Sequence, residues 1–133
     1  MKYIEKISLP KIKDERGALS FFEERNGLPF DVKRIYFLYE IRSKGVRGEH
    51  AHKILKQAII PIHGSFCLKV DNGSEKEEFI LSQPDECVLV SGPVWREISG
   101  FSKDGVCLVL ASEPYDEDDY IRSYEEFRAF LKL

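Results

Sequence analysis

Gly45-Val46-Arg47-Gly48-Glu49-His50-Ala51-His52-Lys53-Ile54-Leu55-Lys56-Gln57, running on to His63-Gly64, sets two histidines one residue apart at the head of an apolar run. Ile54 to Ile62 reads as a strand, and His63-Gly64 as the turn that ends it. Side chains on a strand alternate with period two, so His50 and His52 face the same way. Two adjacent imidazoles either ligate a metal or divide proton-transfer work. Their unperturbed pKa of about 6.5 suits them to take up and return protons near neutral pH.

Strand-like segments continue on both sides. Ala18 to Phe22 is short and apolar after the turn-like Asp14-Glu15-Arg16-Gly17. Val32 to Tyr39 alternates, with Ile35, Phe37 and Tyr39 on one face and Arg34, Tyr36 and Leu38 on the other. Phe66, Leu68 and Val70 alternate with Cys67 and Lys69, and Asn72-Gly73 follows as a hairpin signal. Further strands are expected at Glu77 to Leu81, Cys87 to Val90, Val94 to Ile98 and Val106 to Ala111. Many short strands broken by Gly, Pro and Asn predict an antiparallel barrel or sandwich. Only the end reads as helix. Tyr120, Tyr124, Phe127 and Leu131 recur at four, three and four residues, and the acidic run Asp116 to Asp119 precedes them as helix-start chemistry.

The 133 residues predict one domain spanning 1–133, with no room for a separate cofactor-binding module. A hydrophobic content of 43% suffices for a core. The net charge of -3 argues against a nucleic-acid footprint, while leaving space for a local phosphate-binding pocket. No apolar run approaches the ~20 residues that span a membrane, and Met1 to Leu9 lacks a signal-peptide core. Cys67, Cys87 and Cys107 cannot all pair within one chain and sit in apolar stretches. They read as small buried hydrophobes of a cytoplasmic protein.

The spacing His-x-His, four residues, Gln57, six residues, Gly64 resembles the first motif of the cupins. The resemblance implies a double-stranded β-helix, the jelly-roll barrel, here all-β with a C-terminal α-helix. Metal-binding cupins carry Glu where this chain has Gln57. They carry a further His where Gly92-Pro93-Val94-Trp95-Arg96-Glu97 presents Arg96. Arginine stays cationic and has no lone pair to offer a metal. The expectation is therefore a metal-free site.

The match extends further. Lys33-Arg34-Ile35-Tyr36, the stretch from Arg47 to Lys53, the stretch from Gly92 to Glu97 and the closing Leu110 to Arg122 together resemble the sugar 3,4-ketoisomerases, or WxcM-like family. The resemblance covers about Leu9 to Phe127. It implies conversion of dTDP-4-keto-6-deoxyglucose to a dTDP-3-keto-6-deoxyhexose on the way to a 3-amino sugar of a surface polysaccharide or lipopolysaccharide, or of an antibiotic. It implies a homodimer and no cofactor. His50 is assigned as the carbon base and His52 as its partner in proton shuttling, with Tyr36 donating to or relaying protons at a sugar oxygen. Arg47 would stabilise enediolate charge or hold the pyrophosphate, and Lys53 and Gln57 would contact ligand. Family members differ at the positions of Arg16 and Arg96, where some carry Tyr and His respectively. The difference tracks the face of C-4 that is protonated. This chain has Arg at both, and Arg96 favours the gluco product.

Two other readings stand beside this one. A 3,5-epimerase also abstracts a proton beside a 4-keto group, through a His–Asp dyad. The paired histidines, with no acidic residue inside their motif from His50 to Gly64, favour ketoisomerisation. A non-catalytic sugar-nucleotide-binding cupin is the second alternative.

Overall fold

A computed structural model describes residues 1–42 and 45–133. Its strands are β1 (Ile4–Ser8), β2 (Lys11–Asp14), β3 (Gly17–Ser20), β4 (Arg34–Leu38), β5 (Arg47–His52), β6 (Gln57–His63), β7 (Phe66–Asp71), β8 (Lys76–Leu81), β9 (Glu86–Val90), β10 (Trp95–Ser99), β11 (Val106–Ala111) and β12 (Tyr120–Ile121). One α-helix, α1 (Tyr124–Phe130), follows. Two five-stranded sheets carry the orders β1-β9-β6-β11-β4 and β12-β5-β10-β7-β8, with β2 and β3 as a separate hairpin. All these pairings are antiparallel. This is the expected jelly-roll arrangement with its C-terminal helix.

The alternation read from the sequence decides what each sheet buries. Phe66, Leu68 and Val70 of β7 meet Ile59, Val88, Val90, Cys107 and Val109 of the other sheet in the central core. Each such side chain contributes about 1.5–3 kcal/mol on burial. Tyr36 and Leu38 pack against this core, while Ile35 and Phe37 on the opposite face of β4, and Tyr39 just beyond the strand, remain more than half exposed. The Asn72-Gly73 signal joins β7 to β8. Asn72 Oδ1 accepts the Ser74 and Glu75 amides there, and Gly73 takes φ +94°. The three cysteines are buried and unpaired.

Two expectations need correction. The predicted strand from Ile54 begins only at Gln57, because residues 53–55 wrap around Asp119 instead. Tyr120 is not helical. The helix starts after Ser123, whose hydroxyl accepts the Glu126 amide, and Tyr120 pairs with His52 across β12 and β5. The Asp116 to Asp119 run therefore lies too early to serve the first turn of α1. Asp116 instead caps a short 3-10 turn, Glu117–Asp119. Phe127 and Ile121 pack on Ala51, fixing the C-terminal segment over β5.

Candidate active site

Register sets the site. Arg96 of β10 lies opposite His50 of β5, and the pairing then shifts so that Ile98 faces Arg47. Three residues of β5 thus span two of β10, a bulge accommodated by Gly48 at φ +65°. The inward faces bring together His50, His52, Arg96, Gln57 and Tyr36. The two imidazoles meet edge to face, 4.7 Å between centroids. Tyr36 Oη accepts from Gln57 Nε2 at 2.7 Å and from Arg96 Nη2 at 2.9 Å, so its own hydrogen is left to donate elsewhere.

The tautomer of His50 follows from its partner. Arginine only donates, so His50 Nε2, 3.0 Å from Arg96 Nη2, accepts and the proton sits on Nδ1. A carboxylate only accepts, and Asp119 Oδ2 lies 3.1 Å from His52 Nδ1. Burial, then the Arg96 guanidinium, pushes the His50 pKa down to about 2 and that of His52 to about 3. Both rings are neutral at physiological pH.

Four buried nitrogens have no hydrogen-bond partner among the described residues: His52 Nε2, Arg34 Nε, Arg96 Nε and Arg96 Nη1. Arg96 is 2% exposed and has no acidic partner among the described residues. Leaving such groups unmatched costs roughly 1–3 kcal/mol each, more for a charged one. A ligand offering oxygen atoms and negative charge would recover that cost. Arg34 lies against the rings of Tyr36 and Tyr115, 5.2 and 5.7 Å from their centroids. It lines a cavity of about 540 Å³ with His52, Glu113, Tyr115 and Tyr120. Among the described residues no three His, Cys, Asp or Glu side chains gather to hold a metal.

The family model described as WxcM-like, C-terminal matches residues 2–132. The chain belongs to the WxcM-like sugar 3,4-ketoisomerase family. It is 40% identical over 125 residues to the TDP-4-oxo-6-deoxy-α-D-glucose-3,4-oxoisomerase of Aneurinibacillus thermoaerophilus, across 94% of this chain and 90% of that one. Among solved structures, the sugar 3,4-ketoisomerase QdtA of Thermoanaerobacterium thermosaccharolyticum, in complex with TDP, superposes with a TM-score of 0.93 at 36% identity. That match covers 99% of this chain and 96% of that one. A histidine-to-asparagine variant of that enzyme has been solved with TDP-4-keto-6-deoxyglucose. The TDP-quinovose 3,4-ketoisomerase WlaRB of Campylobacter jejuni gives a TM-score of 0.92 at 36% identity, over 97% and 99% of the two chains.

Not every residue expected in the ketoisomerase site joins the cluster. Arg16 sits in the turn between β2 and β3, its side chain 86% exposed and paired with Asp14. Arg47 opens β5 on the surface, and Lys53 is exposed just beyond it. Conversely, three participants were missed. Arg34 was readable as a charged residue on the same face as Tyr36. Tyr120, whose ring lies 4.4 Å from His52 and 4.9 Å from His50, was assigned to a helix. Asp119 was absorbed into the acidic run. No acid lies between His50 and Gly64, but Asp119 arrives beside His52 from 67 residues further along.

Proposed function

We propose that this ketoisomerase moves the ketone of a dTDP-linked 4-keto-6-deoxyglucose from C-4 to C-3. The observation that carries the reading is the buried Arg96 guanidinium, whose Nε and Nη1 have no partner among the described residues, beside two neutral imidazoles and a phenol with a hydrogen to donate. Removal of the C-3 proton leaves an enediolate over C-3 and C-4. That charge is met by the guanidiniums of Arg96 and Arg34, both already held in the site. Protonation at C-4 and passage of the O-3 proton to O-4 complete the exchange, so one hydrogen moves between carbons and one between oxygens.

His50 takes the carbon-base role because it adjoins Arg96, where the charge develops. As the enediolate forms, its oxygen competes for the Arg96 donor that His50 Nε2 holds in the free enzyme. His52 and Tyr36 carry the hydroxyl protons, and Gln57 holds the phenol in place. Arg96, inside the cluster, directs C-4 protonation toward the gluco product, whereas Arg16 stands outside it. The reaction supplies a 3-keto sugar to an amine-transferring step in polysaccharide assembly.

In deuterated buffer with dTDP-4-keto-6-deoxyglucose, NMR is expected to show the carbonyl signal moving from C-4 to C-3. In ordinary water the product's H-4/H-5 coupling is expected to be large and diaxial, as gluco requires. Deuterium at C-3 or C-5 with the ketone still at C-4 would make the protein an epimerase. Tight binding without exchange or product would favour a sugar-nucleotide-binding role.

We also propose a homodimer. Ile35 and Phe37 on β4, an edge strand, and Tyr39 just beyond it form an exposed apolar row, and Ile12 and Leu19 are exposed on the β2–β3 hairpin. Such a row beside an open edge favours association. Arg16, carried outward on that hairpin, would reach substrate only in the partner's site. Light scattering is expected to give a mass near twice 15.4 kDa. A monomer at micromolar concentration would remove both the dimer and the role of Arg16.

A further inference from the structure

Asp119 is held from several directions. Its Oδ1 accepts the Ile54 amide at 2.7 Å and its Oδ2 the Leu55 amide at 3.4 Å, while its carbonyl accepts the Lys53 amide at 3.0 Å. The Tyr120–His52 pairing of β12 and β5 places it directly before the residue opposite the histidine. The carboxylate is 11% exposed and His52 5%. Few rotations remain open to it, and Oδ2 stays 3.1 Å from His52 Nδ1. The tyrosine that follows covers the His52 ring, and the guanidinium of Arg122 lies over that tyrosine, 4.3 Å from its centroid.

We propose that Asp119 is a positioning residue that locks His52 as the Nδ1–H tautomer, so that Nε2 is the nitrogen presented to substrate. His52 Nε2 is buried and has no partner among the described residues, as expected of an acceptor aimed at a ligand. A nearby carboxylate also supports the imidazolium that forms when the ring takes a proton, and this support is present only while the proton is in transit. The inference rests on the ketoisomerase reading for its catalytic consequence, but its structural content does not. A purely structural role is the competing account, since Asp119 also terminates the amides of residues 54 and 55.

Asp119→Asn separates the two. Asparagine keeps an oxygen for the Ile54 amide and nearly the same volume, but its NH2 would face His52 Nδ1 and donate to it. That reverses the tautomer, moving the proton to Nε2. Long-range ¹⁵N–¹H correlation spectra of the substrate-free protein, with His52→Asn supplying the assignment, are expected to show Nδ1–H in the wild type and Nε2–H in Asp119→Asn. On the dTDP-4-keto sugar, kcat should fall by roughly 10²–10⁴-fold with KM changed only a few-fold. Wild-type His52 protonated at Nε2 would overturn the proposal, whether or not the variant folds. An unchanged tautomer and kcat in a folded Asp119→Asn would overturn it too, leaving a structural role. Wild-type enzyme that makes no 3-keto product would instead defeat the functional reading, with the tautomer result standing separately.

Discussion

Exchange of His50 for asparagine is expected to lower kcat by roughly 10³-fold and to stop deuterium entering C-3 of the substrate. His52→Asn is expected to lower kcat by a similar factor while leaving that exchange measurable. Asparagine keeps the polarity of the position but has no basic nitrogen, and a positioned acid–base group contributes about 10²–10⁴-fold. The difference in exchange follows from the division of labour. His50 touches Arg96, the cation placed to receive the enediolate, so it acts at carbon. His52, backed by Asp119, acts at the hydroxyls. Without it the C-3 proton still leaves and returns, but the oxygens cannot trade theirs and the ketone stays at C-4. Substrate recovered after incubation in deuterated buffer, compared by NMR, reads both quantities. Exchange lost with His52→Asn and kept with His50→Asn would reverse the two roles. Variants that both retain a tenth of the activity would move the proton transfers to other groups.

What the sequence disclosed, and what it hid, divides by distance along the chain. Period-two alternation put His50 and His52 on one face and Tyr36 on the face opposite Ile35, because direction on a strand is fixed by count alone, while Gln57 came from its spacing to the histidines. Arg34 obeys the same count, and a charge on an otherwise inward face was the available clue. Tyr120 misled because its four-residue spacing to Tyr124 fits a helix, although the capping Ser123 stands between them. That cap, read first, would have put the acidic run outside the helix and left Asp119 in need of another partner. Nothing local, however, couples Asp119 to His52. The pair forms where β12 runs alongside β5, under α1 packed on Ala51, and where the amides of residues 53–55 bond to Asp119. Arg47 and Lys53 flank the histidines in sequence but lie exposed, since proximity to a motif does not by itself turn a side chain inward.

Acid should unfold this protein earlier than its carboxylates alone would dictate. Burial and the Arg96 guanidinium hold the folded-state pKa of His50 near 2 and that of His52 near 3, against about 6.5 in the unfolded chain. Well above pH 6.5 neither state binds these protons, and the pair does not affect stability. As pH falls below 6.5 the unfolded chain takes up two protons that the folded one refuses. Stability then drops with a slope approaching about 1.4 kcal/mol per pH unit for each ring. Between pH 6.5 and 5 the loss should reach roughly 2–3 kcal/mol, His50 giving the smaller share because water reaches part of its ring. Carboxylates with depressed pKa values act in a lower window. Glu117, held at about 2 by Arg122 and Tyr115, contributes stability above its ordinary carboxylate range that is lost only below about pH 4.5. Glu86 and Asp14, lowered beside Lys6 and Arg16, follow the same sign. Urea unfolding at pH 6.5 and 5 therefore isolates the histidines, and the His50→Asn, His52→Asn double variant should lose most of the difference. A wild-type midpoint that does not move across this window, or a double variant that falls equally, would mean the imidazoles are not held neutral by the fold. The same depression predicts that kcat/KM stays level from pH 8 to 5, because the bases remain unprotonated in the free enzyme until the protein itself begins to unfold.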